Sequence, residues 1–146
     1  MTKVNDFVVK FANVNGSGSA SANLMFAKSI FRMGIPVTPK NIFPSNIQGL
    51  PTWFEVRINK DGYAARREGI DCFITLNPQT YQTDMKEILS GGYLIYDNTL
   101  PRNFSRKDIN YIGIPMASIC ADHYDCLLYT SDAADYSLRV DLGGRR

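Results

Sequence analysis

The first forty residues show two different patterns of apolar and polar positions. Residues 7–14 (FVVKFANV) are mostly apolar and β-prone, which predicts a buried strand. From Ala20 the period becomes helical, with a predicted core face at Ala20, Leu24, Ala27 and Phe31. Asn23 falls elsewhere and is predicted to lie on the helix surface. Gly34 and Pro36 stop the helix, and residues 35–42 are predicted to be extended.

The rest of the chain repeats the alternation of strands and helices. Strands are predicted at residues 53–58, with one solvent-facing side, and at 71–76, 93–96 and 111–114. A helix is predicted at residues 79–89, and Gly91 and Gly92 are expected to close it. This order predicts an α/β domain with a largely parallel sheet and right-handed crossovers.

Three loops qualify as ligand sites, because ligands of open parallel sheets bind beyond the carboxyl ends of strands. These loops are residues 15–20, 77–80 and 97–100, and each follows a predicted buried strand and begins with a polar residue. Two carboxylates, Asp71 and Asp97, lie near strand ends. For both, helix or turn capping is favoured over acid–base chemistry.

The glycine-serine turn is the strongest candidate for chemistry. Gly16 and Gly18 match the start of a G-x-G-x-x-G pattern, with Ser21 in the third glycine position. Small residues let a phosphate approach the backbone N–H groups of a helix N-terminus. The predicted binding residues are Asn15, Gly16, Ser17, Gly18 and Ser19. A tight turn without a ligand is the alternative, and Lys40, where NAD-binding folds carry an acidic residue, disfavours NAD.

Composition narrows the function classes. The chain has 146 residues, 45% of them hydrophobic, which suits one soluble domain. A net charge of +2 gives no reason to expect nucleic acid or a membrane surface as a partner. A signal-like apolar segment is absent, so a cytoplasmic location is expected. Three cysteines without CxxC spacing are expected to be free thiols, and His123 has no triad partners, so no catalytic residue and no metal ligand is assigned.

The last twenty-one residues differ in origin from the rest. Back-translation of residues 126–135 (CLLYTSDAAD) and 140–146 (VDLGGRR) resembles the two ends of a transposase-based sequencing adapter. Residues 136–139 stand where the adapter has a variable index. A C-terminal amphipathic tail, the alternative, explains neither run. Residues 1–125 are therefore expected to be a C-terminally truncated domain, and residues 126–146 a non-biological tail.

Several separated motifs resemble one enzyme family. They are NVNGSGSASANLMFAKSIFRMGIPV, KNIFPSNIQGLPTWFEVR, NPQTY, GGYLIYDNT and GIPMASIC. In this order they resemble the γ-type domain of 2-oxoacid:ferredoxin oxidoreductases, especially the start of α subunits in 2-oxoglutarate-type enzymes, where γ and α regions are fused. The resemblance covers residues 4–125. It implies a three-layer, Rossmann-like α/β domain with a mostly parallel sheet.

The resemblance also implies an activity and its cofactors. The family oxidises a 2-oxoacid, here expected to be 2-oxoglutarate, to CO2 and an acyl-coenzyme A such as succinyl-CoA. Thiamine diphosphate with Mg and an iron–sulfur cluster carry that chemistry, and ferredoxin takes the electrons. In the family, thiamine diphosphate lies between the α region and the β subunit, and the clusters lie in the β subunit or an extra subunit. This fragment is therefore expected to be inactive alone and to need the α region and the β subunit as partners.

The resemblance assigns the γ domain to the coenzyme A end of the reaction. The turn at residues 15–19 is therefore expected to contact a coenzyme A phosphate or an adjoining subunit. The apolar-containing loop 45–51 is expected to form a subunit interface through Asn46, Gln48, Gly49 and Leu50. Ser19 and Ser21 replace two glycines of the usual family turn. A free-standing nucleotide- or coenzyme A-binding module and a non-catalytic assembly domain are the alternatives.

Overall fold

The fold is a single sheet with helices on both sides. A computed structural model describes residues 5–15, 17–43 and 51–123. The elements within these ranges are β1 (Asp6–Val14), α1 (Ser19–Arg32), β2 (Val37–Ile42), β3 (Pro51–Asn59), β4 (Ile70–Thr75), α2 (Tyr81–Glu87), β5 (Ile88–Asp97), β6 (Asn110–Ile114) and α3 (Met116–His123). The sheet order is β2-β3-β1-β4-β5-β6.

The strand directions make the sheet mostly parallel. β1, β4, β5 and β6 pair in parallel, each with its neighbour. β3 runs antiparallel to both β1 and β2, so five of the six described strands point the same way. The predicted mostly parallel α/β sheet is confirmed. The strand predicted at residues 53–58 is the one that opposes the others.

The core lies in two layers separated by the sheet. On one face Val8 of β1 packs with Phe73 of β4 and Met85 of α2. On the other face Val9 packs with Ala27 of α1. Successive residues of β1 therefore point to opposite helices, as the period of a strand requires. The predicted three-layer arrangement is confirmed.

Helix α1 buries a different face from the one that its apolar spacing predicts. The helix begins and ends close to the predicted positions, and Gly34 follows it with a φ of 82°. Its buried residues are Asn23 and Ala27, whereas Phe31 is 66% exposed. The prediction of a surface position for Asn23 is wrong, because the helix turns this polar residue towards the sheet. Among the helices that the structure describes, none has the length and apolar character to cross a membrane.

The glycine pair near residue 91 has another role than the predicted one. Helix α2 ends at Glu87 and β5 begins at once, so Gly91 and Gly92 lie inside a strand. The expectation that they close the helix is wrong. The register of β5 against β4 shifts between Ile70 and Cys72, which marks a bulge that accommodates the extra residues. Asn110 of β6 donates from Nδ2 to the carbonyl oxygens of both glycines, at 3.0 and 3.3 Å.

The predicted solvent-facing side of residues 53–58 is also buried. Glu55 is 2% exposed, and Arg57 is buried as well. Arg66 donates from Nε and Nη2 to the two carboxylate oxygens of Glu55 at 3.0 and 2.8 Å. Arg57 pairs with Asp6 at 2.5 Å. Ion pairing with distant residues, which alternation along one strand does not reveal, lets these charges lie under the surface.

Candidate functional site

The three predicted ligand loops meet at one edge of the sheet. β1, β4 and β5 are parallel neighbours, so their carboxyl ends lie side by side. The chain leaving β4 stays in register with β1, because the Leu76 N–H donates to the Ala12 carbonyl at 3.0 Å. The three loops that the sequence offers as ligand sites therefore follow strands that end at the same edge.

The loop after β4 is held in place by hydrogen bonds within the protein. Asn77 is buried, and its Nδ2 donates to the Asn13 carbonyl at 3.3 Å. Its Oδ1 accepts the Gln79 N–H at 2.9 Å, and the Thr75 hydroxyl donates to its carbonyl at 3.3 Å. Both ends of the Asn77 side chain are thus engaged within the protein. These hydrogen bonds of Asn77 stabilise the edge of the sheet.

The loop after β5 is held by a capping carboxylate. Asp97 Oδ1 accepts the Thr99 N–H and hydroxyl at 2.9 and 2.7 Å, and Oδ2 accepts the Ala117 N–H at 3.2 Å at the start of α3. Burial opposes ionisation, but the hydrogen bonds from Thr99 and α3 outweigh it and lower the pKa of Asp97. Capping is confirmed for Asp97. It is wrong for Asp71, which accepts the Val8 N–H and pairs with Arg67.

Replacing Asp97 with alanine is expected to lower the free energy of unfolding by about 1–2 kcal/mol, because the N–H groups at the start of α3 lose their acceptor. The lowered pKa means that Asp97 stabilises the fold above its ordinary value of 3.8 and ceases to do so as pH falls through the folded value. Urea unfolding at several pH values measures both effects. The difference from an Asp97→Asn variant should shrink as the pH falls, and a constant difference would contradict the assignment.

The glycine-serine turn borders a cavity of about 370 Å³. The cavity lies between the start of α1, the end of β1 and the ends of β2 and β3 that face it. Three of the predicted binding residues, Asn15, Gly18 and Ser19, line it. Ser17 is placed differently, since its N–H donates to the Val14 carbonyl at 3.3 Å and it is not part of the lining. Gly16 lies outside the described residues.

The N-terminus of α1 faces this cavity without a side-chain cap. Gly18 is the N-cap residue, with a left-handed φ of 71° that glycine adopts readily, and the described residues make no side-chain hydrogen bond that caps the helix. The first N–H groups of a helix have no partner within the helix, and they carry its positive dipole end. The turn therefore offers hydrogen-bond donors to the cavity, as the G-x-G pattern predicts.

Asn23 is a member of the cavity lining that the sequence pattern misses. It lies one turn into α1 and is 7% exposed. Its Nδ2 has no hydrogen-bond partner among the described residues. Its spacing of four residues from the buried Ala27 is the one signal that could have placed it on the sheet side of the helix.

Trp53 links the cavity to a buried carboxylate on the other face of the sheet. Trp53 is among the residues that line the cavity, and its Nε1 donates to Asp84 Oδ1 at 3.0 Å. The Thr80 hydroxyl donates to Asp84 Oδ2 at 2.7 Å. Burial raises the pKa of Asp84, and these two hydrogen bonds and the Lys10 charge oppose the rise. Lys10 also lies over the Trp53 ring, with Nζ 5.7 Å from its centre.

The predicted interface loop lies outside the described residues. Its residues Asn46, Gln48, Gly49 and Leu50 lie outside the described residues, so this assignment stays a prediction. The described chain stops at Phe43, which is exposed and lines the cavity, and resumes at Pro51, which pairs with Val14.

Metal-type clusters are absent from residues 5–15, 17–43 and 51–123, where no three His, Cys, Asp or Glu side chains come together. Cys72 and Cys120 are free thiols in these ranges. Burial, followed by the Asp71 charge, raises the pKa of Cys72. The described edge thus offers hydrogen-bond donors and apolar walls to a ligand.

Fold and site together define an α/β domain with a strand-turn-helix that points donors into a cavity at the carboxyl edge of its sheet. A family model described as pyruvate ferredoxin/flavodoxin oxidoreductase matches residues 8–128. The match covers most of the chain. The chain belongs to the pyruvate ferredoxin/flavodoxin oxidoreductase family.

Named relatives agree with this assignment. The chain is 26% identical over 82 residues to the α subunit of 2-oxoacid:ferredoxin oxidoreductase 2 from Aeropyrum pernix, covering 56% of the chain and 13% of that subunit. It resembles 2-oxoglutarate:ferredoxin oxidoreductase from Magnetococcus marinus, with a TM-score of 0.74 and 21% identity over 82% of the chain and 22% of that protein. It also resembles pyruvate oxidoreductase subunit PORC from Thermotoga maritima, with a TM-score of 0.65 and 18% identity over 82% and 67% of the two chains. The chain therefore spans a small part of its α-subunit and 2-oxoglutarate-type relatives.

Proposed function

We propose that the chain is the γ-like domain of the α subunit of a cytoplasmic 2-oxoacid:ferredoxin oxidoreductase, with 2-oxoglutarate as the 2-oxoacid. Family membership and the Aeropyrum pernix α subunit support the enzyme class. The substrate rests on the Magnetococcus marinus structure, which contains 2-oxoglutarate, coenzyme A and succinyl-CoA and has a higher TM-score than the pyruvate enzyme subunit.

The observation that carries a role for this domain is the uncapped N-terminus of α1 at the cavity. Coenzyme A carries phosphate groups, and helix N-termini bind phosphates through free N–H groups and the helix dipole. In this proposal the turn at residues 15–19 holds a coenzyme A phosphate and so orients the thiol end towards the reacting centre. The domain binds and positions a co-substrate and performs no chemical step itself.

The redox chemistry is assigned to other parts of the enzyme. Thiamine diphosphate with Mg supplies the decarboxylation chemistry when bound, and iron–sulfur clusters carry electrons to ferredoxin. Among the described residues no three His, Cys, Asp or Glu side chains come together, which an iron–sulfur or metal site would require. We therefore place these cofactors in the rest of the α region and in the β subunit, the proposed partners of this domain.

A non-catalytic assembly role is the second candidate. Helix α1 carries large apolar side chains on its outer side, with Met25 71% and Phe31 66% exposed. Exposed apolar groups on one helix are typical of surfaces that contact another subunit. This role requires no ligand in the cavity, which separates it from the first proposal.

The proposed function is tested by restoring the rest of the enzyme. Source DNA sequenced across the Cys126 codon supplies the continuing reading frame, and that frame is expressed together with its β subunit. We expect coenzyme A-dependent reduction of ferredoxin with 2-oxoglutarate, and none from the 146-residue chain alone. Faster turnover of pyruvate would overturn the substrate assignment, and a frame that truly encodes residues 126–146 would overturn the fused subunit.

A further inference from the structure

Burying the side chain of Asn23 inside α1 costs free energy of folding. The side chain is more than nine-tenths buried, and its Nδ2 finds no acceptor among the described residues. Buried donors in folded proteins are nearly always paired, because an unpaired one loses its bonds to water without replacement. An acceptor from outside the described chain would remove this cost.

The position of Asn23 indicates where that acceptor would bind. Asn23 lines the same cavity as Gly18, the N-cap of α1, and Ser19, the first residue of this fourteen-residue helix. The side-chain amide and the uncapped first turn thus offer donors to one space. The start of a helix does not make a binding site by itself, but here a second, independent donor lines the same cavity.

The chemistry of the lining selects an anionic group. The helix start contributes partial positive charge, and no Asp or Glu is present among the described lining residues. A phosphate has several acceptor oxygens and can take N–H bonds from the turn and an amide bond from Asn23 together. The cavity of about 370 Å³ is large enough for a phosphate ester.

We propose that Asn23 is a ligand-binding residue whose side-chain amide, with the first N–H groups of α1, holds a phosphate of the bound co-substrate. The identity of that co-substrate as coenzyme A rests on the proposed function. The phosphate contact itself rests on the unpaired amide and the cavity.

The test compares the full 146-residue chain with an Asn23→Leu variant. Trp53 is the only tryptophan of the sequence and is among the residues that line the cavity, so ligand entry is expected to change its fluorescence. Coenzyme A and inorganic pyrophosphate are titrated separately. We expect the Kd of each to rise about tenfold or more in Asn23→Leu, which loses one hydrogen bond to a charged group.

Thermal melting without ligand separates a binding role from a structural one. Leucine has the same branching and number of side-chain heavy atoms as asparagine and removes the unpaired donor, so unliganded Asn23→Leu should melt at the same or a higher temperature than the wild type. Asn23→Asp, which places a negative charge at the same point, should abolish binding of both probes. Ser29→Ala, at an exposed position further along α1, is the matched control and should leave both Kd values unchanged.

The outcomes distinguish this inference from the proposed function. Equal affinity in the wild type and Asn23→Leu, or a lower melting temperature of the variant without ligand, would overturn the role of Asn23. If neither probe binds the wild type, the phosphate site is overturned, and family membership and the assembly role still stand. Pyrophosphate binding without any coenzyme A binding would support Asn23 and overturn coenzyme A as the ligand.

Discussion

Replacing Asp84 with alanine is expected to lower the free energy of unfolding by about 2–4 kcal/mol. The carboxylate is fully buried and accepts from the Trp53 indole and the Thr80 hydroxyl. Alanine would leave both donors unpaired inside the protein and would also leave the Lys10 charge with one neighbouring carboxylate fewer. Urea unfolding followed by Trp53 fluorescence measures the loss.

An Asp84→Asn variant is the matched control for this loss. The amide oxygen can still accept from Trp53, and the amide nitrogen can donate to the Thr80 hydroxyl, so the expected change is within about 1 kcal/mol. If alanine and asparagine destabilise the protein equally, the hydrogen bonds seen here are not the source of stability.

The raised pKa of Asp84 predicts that the difference in stability between the wild type and Asp84→Asn depends on pH. Burial raises the pKa of Asp84 above its ordinary value of 3.8, so the folded state binds this proton more tightly than the unfolded state does. The wild type therefore loses stability as pH rises from 3.8 through the folded pKa, and Asp84→Asn lacks this contribution. Stability of the wild type minus that of Asp84→Asn should fall over this range. A flat difference would contradict the raised pKa.

Local periodicity was enough to predict most of the elements. The first strand, the long helix and the strands that became β4 and β6 begin and end within about two residues of the predicted bounds. These elements are set by side chains close together in sequence. The turn at α1 was predictable for the same reason, since a glycine with a left-handed φ leaves a signature in a short motif.

The contacts that sequence reasoning missed are long-range. Nothing in the alternation of residues 53–58 reveals that β3 inserts between β1 and β2, where Val56 pairs with Val9. The burial of Glu55 likewise depends on Arg66, which lies on a separate loop. Asn23 was missed because a polar residue in a helix is usually solvent-facing, and only the packed fold shows that its amide lines a cavity.

Replacing Gly92 with alanine is expected to destabilise the protein by about 2–3 kcal/mol through overpacking in β5. A Cβ at this position would lie 2.7 Å from Cγ2 of Ile88 and 2.9 Å from the carbonyl oxygens of Asp71 and Leu89. The Ile88 side chain can rotate away, but the Asp71 carbonyl moves only if β4 and β5 separate, and the Leu89 carbonyl moves only if the backbone of β5 itself shifts. The strain therefore falls on a central parallel pair of the sheet.

Gly91 supplies the control for this prediction. An added Cβ there meets nothing within 4 Å, and the cost comes from its φ of 80°, which is worth about 1–2 kcal/mol in a residue with a side chain. Chemical unfolding of both variants should therefore rank Gly92→Ala below Gly91→Ala in stability. The order follows from contact at one glycine and conformation at the other. The reverse order would mean that the bulge yields to a side chain, and that the hydrogen bonds from Asn110 do not hold its backbone in place.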